Sequence, residues 1–164
     1  MNISVELVIS VVALGCSIYA VLLTRTHNRI SLVPHLEWHT DRSRTNEGIT
    51  FTFTLKNTGV GPANIQDRGF LLDGKRHETK LADPVPELAE LCLSGKTPFL
   101  LKRHGSPGIG SNLPAGQSIC IAELFIPGLK PGQEDAIAQL FRRVDFAVRY
   151  RSLHGESFLF TTAD

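Results

Sequence analysis

From Leu7 to Leu23 the chain carries no charged residue, and Val, Leu, Ile and Ala dominate. A helix rises 1.5 Å per residue and a bilayer's hydrocarbon core takes roughly 17–25 apolar residues, so this run reaches the short end of a span. It is terminal, apolar on every face and closed by a polar cluster from Thr24 onward, a poor pattern for the core helix of a soluble domain. A cleavable signal peptide also fits badly. Nothing before Leu7 is basic except the terminal amine, Glu6 is acidic, and Ala20 is followed by Val21, Leu22 and Leu23 where a small-x-small site would stand. The run reads as an uncleaved transmembrane helix over residues 7–23. Residues 1–6 then form a short external N-terminus, 24–29 a basic juxtamembrane linker and 30–164 the folded domain.

Flanking charge sets the expected orientation. All 17 Lys and Arg residues follow the apolar run, with Arg25 and Arg29 at its exit and His27 between them. Basic flanks stay cytoplasmic, which puts the N-terminus outside and the domain inside. Cys16, Cys92 and Cys120 match neither a disulfide framework nor a zinc module and agree with a reducing compartment. Within the helix, Ser10, Ala13, Ser17 and Ala20 recur every three or four residues, so they stack on one side, and Glu6 extends it. Small residues let helices approach closely in lipid, and this stripe is a candidate packing face for another membrane helix.

Beyond the exit the pattern changes from helical to alternating. Gly48–Lys56 sets Ile49, Phe51, Phe53 and Leu55 against Thr50, Thr52 and Thr54, the signature of a half-buried strand. Strands are also expected over Ile30–His39 (interrupted by Pro34), Ala63–Leu72, Ser118–Ile126, Val144–Arg151 and Ser157–Thr162. Turn residues separate them: Asn57-Thr58-Gly59-Val60-Gly61-Pro62, Asp73-Gly74, Leu113-Pro114-Ala115-Gly116-Gln117 and Leu153-His154-Gly155. Helical spacing appears in Pro84–Leu93 and Gly132–Arg143, the second with Gln133, Glu134 and Asp135 in its first turn, where the helix dipole favours acids. Short strands divided by turns point to a mainly β chain, an antiparallel β-sandwich with two short helical insertions. Its 164 residues suit one domain plus an appendage, and a net charge of +1 disfavours a general nucleic-acid binder.

Three of these segments together carry a resemblance: Leu55-Lys56-Asn57-Thr58-Gly59-Val60-Gly61-Pro62-Ala63, Leu113-Pro114-Ala115-Gly116-Gln117-Ser118 and Val148-Arg149-Tyr150-Arg151-Ser152-Leu153-His154-Gly155. The pattern is similar to immunoglobulin-like sandwiches of single-pass bacterial membrane proteins, most of them uncharacterised. The resemblance covers about Ser31 to the C-terminus. It implies the fold and a bacterial inner-membrane location, and it brings no catalytic residue.

Candidate chemistry is sparse. His35, Glu37, His39 and Asp41 alternate on one strand and so share a side, while Leu36 and Trp38 take the other. Imidazoles and carboxylates suit a divalent metal, yet nothing marks a ligand on another element to complete a site, and the solvated face of a half-buried strand is the better explanation. Ser94-Gly95-Lys96-Thr97 imitates the end of a phosphate loop, but Glu90 stands where its first glycine belongs and Pro98 where its helix should begin. The Gly105–Ser111 run fits no nucleotide fingerprint, and no Gly-x-Ser-x-Gly elbow is present. The stretch from Lys96 to Leu113, with apolar Phe99, Leu100 and Leu101 followed by basic Lys102, Arg103 and His104, is the most suggestive surface, either an interaction loop for lipid or protein or a further buried strand over Phe99–Leu101 with the basic residues as its solvated end.

The expectation is a non-catalytic accessory or interaction subunit without a cofactor, presenting a sandwich at the membrane surface. Its partners would be the bilayer and another membrane protein or a second copy of itself. The alternative is a tethered sensor for a metal or small ligand that uses the His35 strand.

Overall fold

The computed structural model describes residues 5–78, 83–93, 97–130 and 132–163, and of 27–31 the backbone alone. Residues 1–4 of the expected N-terminus, the Ser94-Gly95-Lys96 stretch and the Arg29 side chain lie outside these. The first element, α1 (Val5–Ser31), contains a segment, Val5–Thr26, that is long and apolar enough to cross a membrane and is unburied among the described residues. The helix runs without a break through residues 24–29, so the expected linker is helical. Only Leu32, Val33, Pro34 and His35 separate α1 from the first strand.

Among the described residues nine strands and two further helices follow: β1 (Leu36–Thr45), β2 (Gly48–Asn57), β3 (Ala63–Leu72), β4 (Lys75–Arg76), α2 (Val85–Leu93), β5 (Leu100–His104), β6 (Asn112–Leu113), β7 (Ser118–Pro127), α3 (Glu134–Phe141), β8 (Val144–Arg151) and β9 (Ser157–Thr161). They form two antiparallel sheets, one ordered β1-β2-β7-β5 and the other β4-β3-β8-β9, with β6 beside β3. The chain is therefore mainly β with one apolar N-terminal helix. One expectation needs correcting: Ile30 and Ser31 end α1, and the strand starts beyond Pro34 and runs to Thr45. Proline cannot continue a helix, and the residues after it pair in full register with β2, from Leu36 opposite Asn57 to Thr45 opposite Gly48.

Both sheets contribute to one apolar core. Leu36 and Leu55 from β1 and β2, Ile121 and Leu124 from β7, Ile65 and Phe70 from β3, and Phe146 and Val148 from β8 are all at most 5% exposed and belong to a single cluster. A second cluster joins Ile49, Phe51 and Ile126 to Cys92 and Leu93 of α2 and Ile137 of α3. Phe51 and Phe53 meet Phe141 edge to face, at 5.4 and 5.2 Å between ring centroids, the offset geometry that aromatic quadrupoles favour. The acidic first turn of α3 has a further role than facing the helix dipole. Arg42 of β1 reaches Asp135 at 2.9 Å, and Arg44 binds Glu134 and the Lys130 carbonyl, so two side chains from the edge strand hold α3 in place.

One buried amide ties the helix exit to the sheets. Asn57, fully buried at the end of β2, accepts from the backbone N–H groups of His35 (3.2 Å) and Gly59 (3.1 Å) through Oδ1. Its Nδ2 donates to the carbonyls of Gly61 (2.8 Å) and Leu113 (2.9 Å). Its own backbone pairs with Gln117 and Gly116. All the hydrogen-bonding capacity of the side chain is used, and all of it on backbone groups of three separate segments. Around it, Val60 and Gly61 donate to the Val33 carbonyl and Thr58 to that of His35. A Cβ on Gly61 would fall 1.9 Å from the Leu32 carbonyl oxygen and one on Gly59 2.3 Å from the His35 nitrogen, so only glycine lets these backbones meet.

Two predictions follow from this packing. Asn57→Ala strips the buried Gly61 and Leu113 carbonyls of their shared donor and the His35 amide of its acceptor, while Gly59 keeps its bond to the His35 carbonyl, and it lowers unfolding stability by about 3 kcal/mol, measured by urea titration of the full chain in detergent. At the β3–β4 hairpin, Arg143 grips Asp73 at 2.8 and 2.5 Å and holds its carboxyl below the ordinary range, chiefly by the side-chain hydrogen bond. A depressed carboxylate contributes stability above its unfolded pKa, near 3.8, and loses that contribution as pH falls through its lowered folded value. The stability difference between wild type and Asp73→Asn is thus flat from neutral pH to about pH 5 and shrinks below about pH 4. Asparagine keeps the comparison clean, because it tolerates the positive φ of 51° at this turn.

Candidate interaction surfaces

Of the four alternating residues, Glu37, His39 and Asp41 lie on β1, whereas His35, expected on the same strand, sits in the tether just before it. Glu37 stands between two imidazoles, with His35 Nε2 3.7 Å from one carboxylate oxygen and His39 Nε2 3.4 Å from the other. Alternate residues on a strand are spaced about 7 Å apart along a line, so one central carboxylate bridges its neighbours in series and the ring nitrogens do not converge on a common point. Asp41, exposed two residues further on, joins neither imidazole. Among the described residues no group of three or more His, Cys, Asp or Glu side chains is placed to hold a metal ion.

The small-residue stripe of α1 lies on an open helix. Ser10 and Ser17 hydroxyls donate to the carbonyls four residues back, those of Glu6 and Ala13, at 2.8 Å each. Their protons are therefore used within the helix, leaving Ala13 and Ala20 to offer close approach and the serine oxygens to accept.

The expected 96–113 loop begins as a strand. Leu100–His104 pairs with β7 at the edge of its sheet, with a bulge at Lys102 that shifts the register between Leu101 and Arg103. Phe99 and Leu101 pack against the core, whereas Leu100 is 58% exposed. The basic residues have partners of their own: Lys102 Nζ lies 4.7 Å from the centre of the Phe125 ring, Arg103 reaches Glu123 at 3.4 Å and His104 meets Asp83 at 2.8 Å. A five-residue apolar and basic run looks alike as a loop or as an edge strand. The alternation Phe99/Leu101 in, Leu100 out was the available signal.

A groove of about 630 Å³, lying where β1, α3 and β8 meet the end of the chain, escaped the sequence reading. Trp38, Phe51, Phe53 and Phe141 line it with aromatic surface, and Arg42, Arg142 and Asp145 stand beside them. Trp38, Phe53, Phe141 and Val144 also line an apolar cavity of about 70 Å³ under α2, so groove and cavity share walls. The groove's volume is within the range of small-ligand sites, and the cavity's is well below it. The alternation of β1 held the signal: Trp38, Thr40 and Arg42 take the core-facing side of an edge strand, and only Leu36 before them is buried.

The thiols are differently placed. Cys92 is 3% exposed on the buried face of α2, and burial pushes its thiol above the usual range. Cys120 is half-buried on β7, and Cys16 lies on the outside of α1. Tyr150 is buried and stacks on Phe158 at 5.4 Å; loss of solvent raises its phenol, opposed by a hydrogen bond to the Leu36 backbone.

No protein-family model matches this chain, and no curated protein matches it. The surfaces above are therefore read on their own chemistry. For the thiols this gives a direct expectation: in the folded chain at pH 7, a maleimide modifies Cys92 at least about 100-fold more slowly than it does after denaturation, read by mass spectrometry of the peptide, because a buried, protonated thiol is not a nucleophile.

Proposed function

We propose that this protein is a membrane-anchored, non-catalytic accessory subunit that presents an immunoglobulin-like β-sandwich at the cytoplasmic face of a bacterial inner membrane. The observation that carries the reading is the joint between α1 and the sheets. A helix of 27 residues, unburied over its Val5–Thr26 span, passes into a short tether that backbone hydrogen bonds clamp to the β2–β3 turn. A signal sequence destined for removal has no need of such a clamp. The sandwich reading draws support from two antiparallel sheets that share one core, and from the three motif segments meeting at Asn57 and in the adjoining β8–β9 hairpin.

Orientation rests on charge: every Lys and Arg lies after the apolar span, Arg25 and Arg29 nearest. Tethering raises the effective concentration for membrane-bound partners, so weak contacts suffice. The surfaces available to a partner, another membrane protein or a second copy, are the small-residue side of α1 and the free edges of β1, β5 and β9.

Anchoring and orientation are tested together. The full chain stays in the membrane pellet after carbonate extraction. A cysteine introduced by Glu47→Cys, at the exposed β1–β2 turn, reacts with a membrane-impermeant maleimide only after cells are permeabilised. Release by carbonate overturns the anchor, and labelling in intact cells overturns the orientation. For the accessory role, cross-linking in intact membranes gives a discrete higher-mass species; a monomer alone at every cross-linker concentration contradicts it.

A further inference from the structure

Outside α1, four large hydrophobic side chains among the described residues are more than 60% exposed: Val60 (69%), Leu153 (68%), Leu159 (68%) and Ile109 (66%). They are not scattered. Val60 tips the β2–β3 turn, Leu153 tips the β8–β9 hairpin, and Ile109 sits in the turn whose neighbours Gly110 and Ser111 bond to both backbone groups of Ile65, near the start of β3. Leu159 lies on β9, two rungs from the same end. This is the end at which α1 enters, for Asn57 pairs with Leu36 there and Asn64 with Arg151.

The tether fixes how far that end stands from the lipid. Five helical residues, 27–31, follow the apolar span, a rise of about 8 Å, and the zone of polar headgroups on each side of the hydrocarbon is about 5–8 Å deep. The next turn of chain is not free to move away, since the Val60 amide bonds the Val33 carbonyl at 3.2 Å and the Gly61 amide does so at 3.4 Å. Val60 thus stands at the level of the tether itself. Lys56 and Arg151, both exposed, flank the same end and place cations where lipid phosphates lie. Exposed aliphatic tips with Lys56, opposite Glu37, and Arg151 beside them match the chemistry of an interface between acyl chains and headgroups.

Resting on the anchor reading, we propose that this end of the β domain is seated on the bilayer. Val60 and Leu153 enter the interface, with Ile109 beside them, so that the domain is a fixed outcrop of the membrane surface and its edges β1, β5 and β9 stand at a set height and direction.

The test uses the full chain in vesicles of phosphatidylcholine and phosphatidylglycerol, a fraction of the lipid carrying bromine high on the acyl chains. Val60→Trp, Leu153→Trp and Ile109→Trp each add an indole to the single native Trp38; Glu47→Trp, nine rungs away at the far hairpin, serves as the control. The expected result is at least about twofold stronger bromine quenching of the added indole at positions 60 and 153 than at 47, with emission shifted to the blue. Equal quenching at 60, 109, 153 and 47, with the protein retained after carbonate, overturns the seating and leaves the anchor standing. Loss of the protein from carbonate-washed vesicles overturns the anchor and the seating together. Three separate tip positions guard against one variant failing to fold.

Discussion

A single carboxamide, that of Asn57, holds the helix tether, the β2–β3 turn and the approach to β7 in one hydrogen-bonded knot. Two donors and two acceptors, matched by backbone groups of the chain, form a geometry that asparagine fits; aspartate would set an acceptor against two carbonyl oxygens. The flanking glycines let three backbones approach where a Cβ would collide. The knot lies where the tether from the N-terminal helix meets the ends of β2 and β6. Without it, α1 and the β domain are two bodies on a flexible string, and the height and direction of every exposed edge become arbitrary.

This arrangement gives physical content to the proposed role. A subunit that acts by contact gains from being held in register with its partners, since each degree of freedom removed beforehand is one not lost on binding. The rest of the fold serves the same end. Arg42 and Arg44 brace α3 from the edge strand, Asp73 and Arg143 close the β3–β4 hairpin onto α3's exit, and Tyr150 joins β8 to the backbone of β1.

Much of this was legible in the residues, and what was not has identifiable causes. Strands β2, β3, β7, β8 and β9 fall where alternation and turn residues put them, within a residue or two, because their two faces see different surroundings. Strand β1 was misplaced because its second half, Thr40–Thr45, is polar on both sides. It is a strand by pairing with β2 and by nothing in its own composition. β5 stayed open between loop and strand for a related reason: five residues at a sheet edge carry too few alternations to decide. The turn motifs Asn57–Pro62 and Leu113–Gln117 were visible as turns. That one asparagine joins them could not be seen, since the partners are backbone atoms and any residue supplies those. The groove beside Trp38 was hidden likewise, its walls coming from strands and a helix far apart in sequence.

The central claim is that the knot makes the β domain a rigid continuation of the membrane helix. Electron–electron distance spectroscopy tests it directly on the full chain in lipid nanodiscs, with nitroxides introduced by Thr26→Cys and Lys75→Cys after the three native cysteines are replaced by alanine. A single narrow distance distribution that broadens when Asn57→Ala is added is the predicted result. A distribution already broad with Asn57 in place would contradict the account.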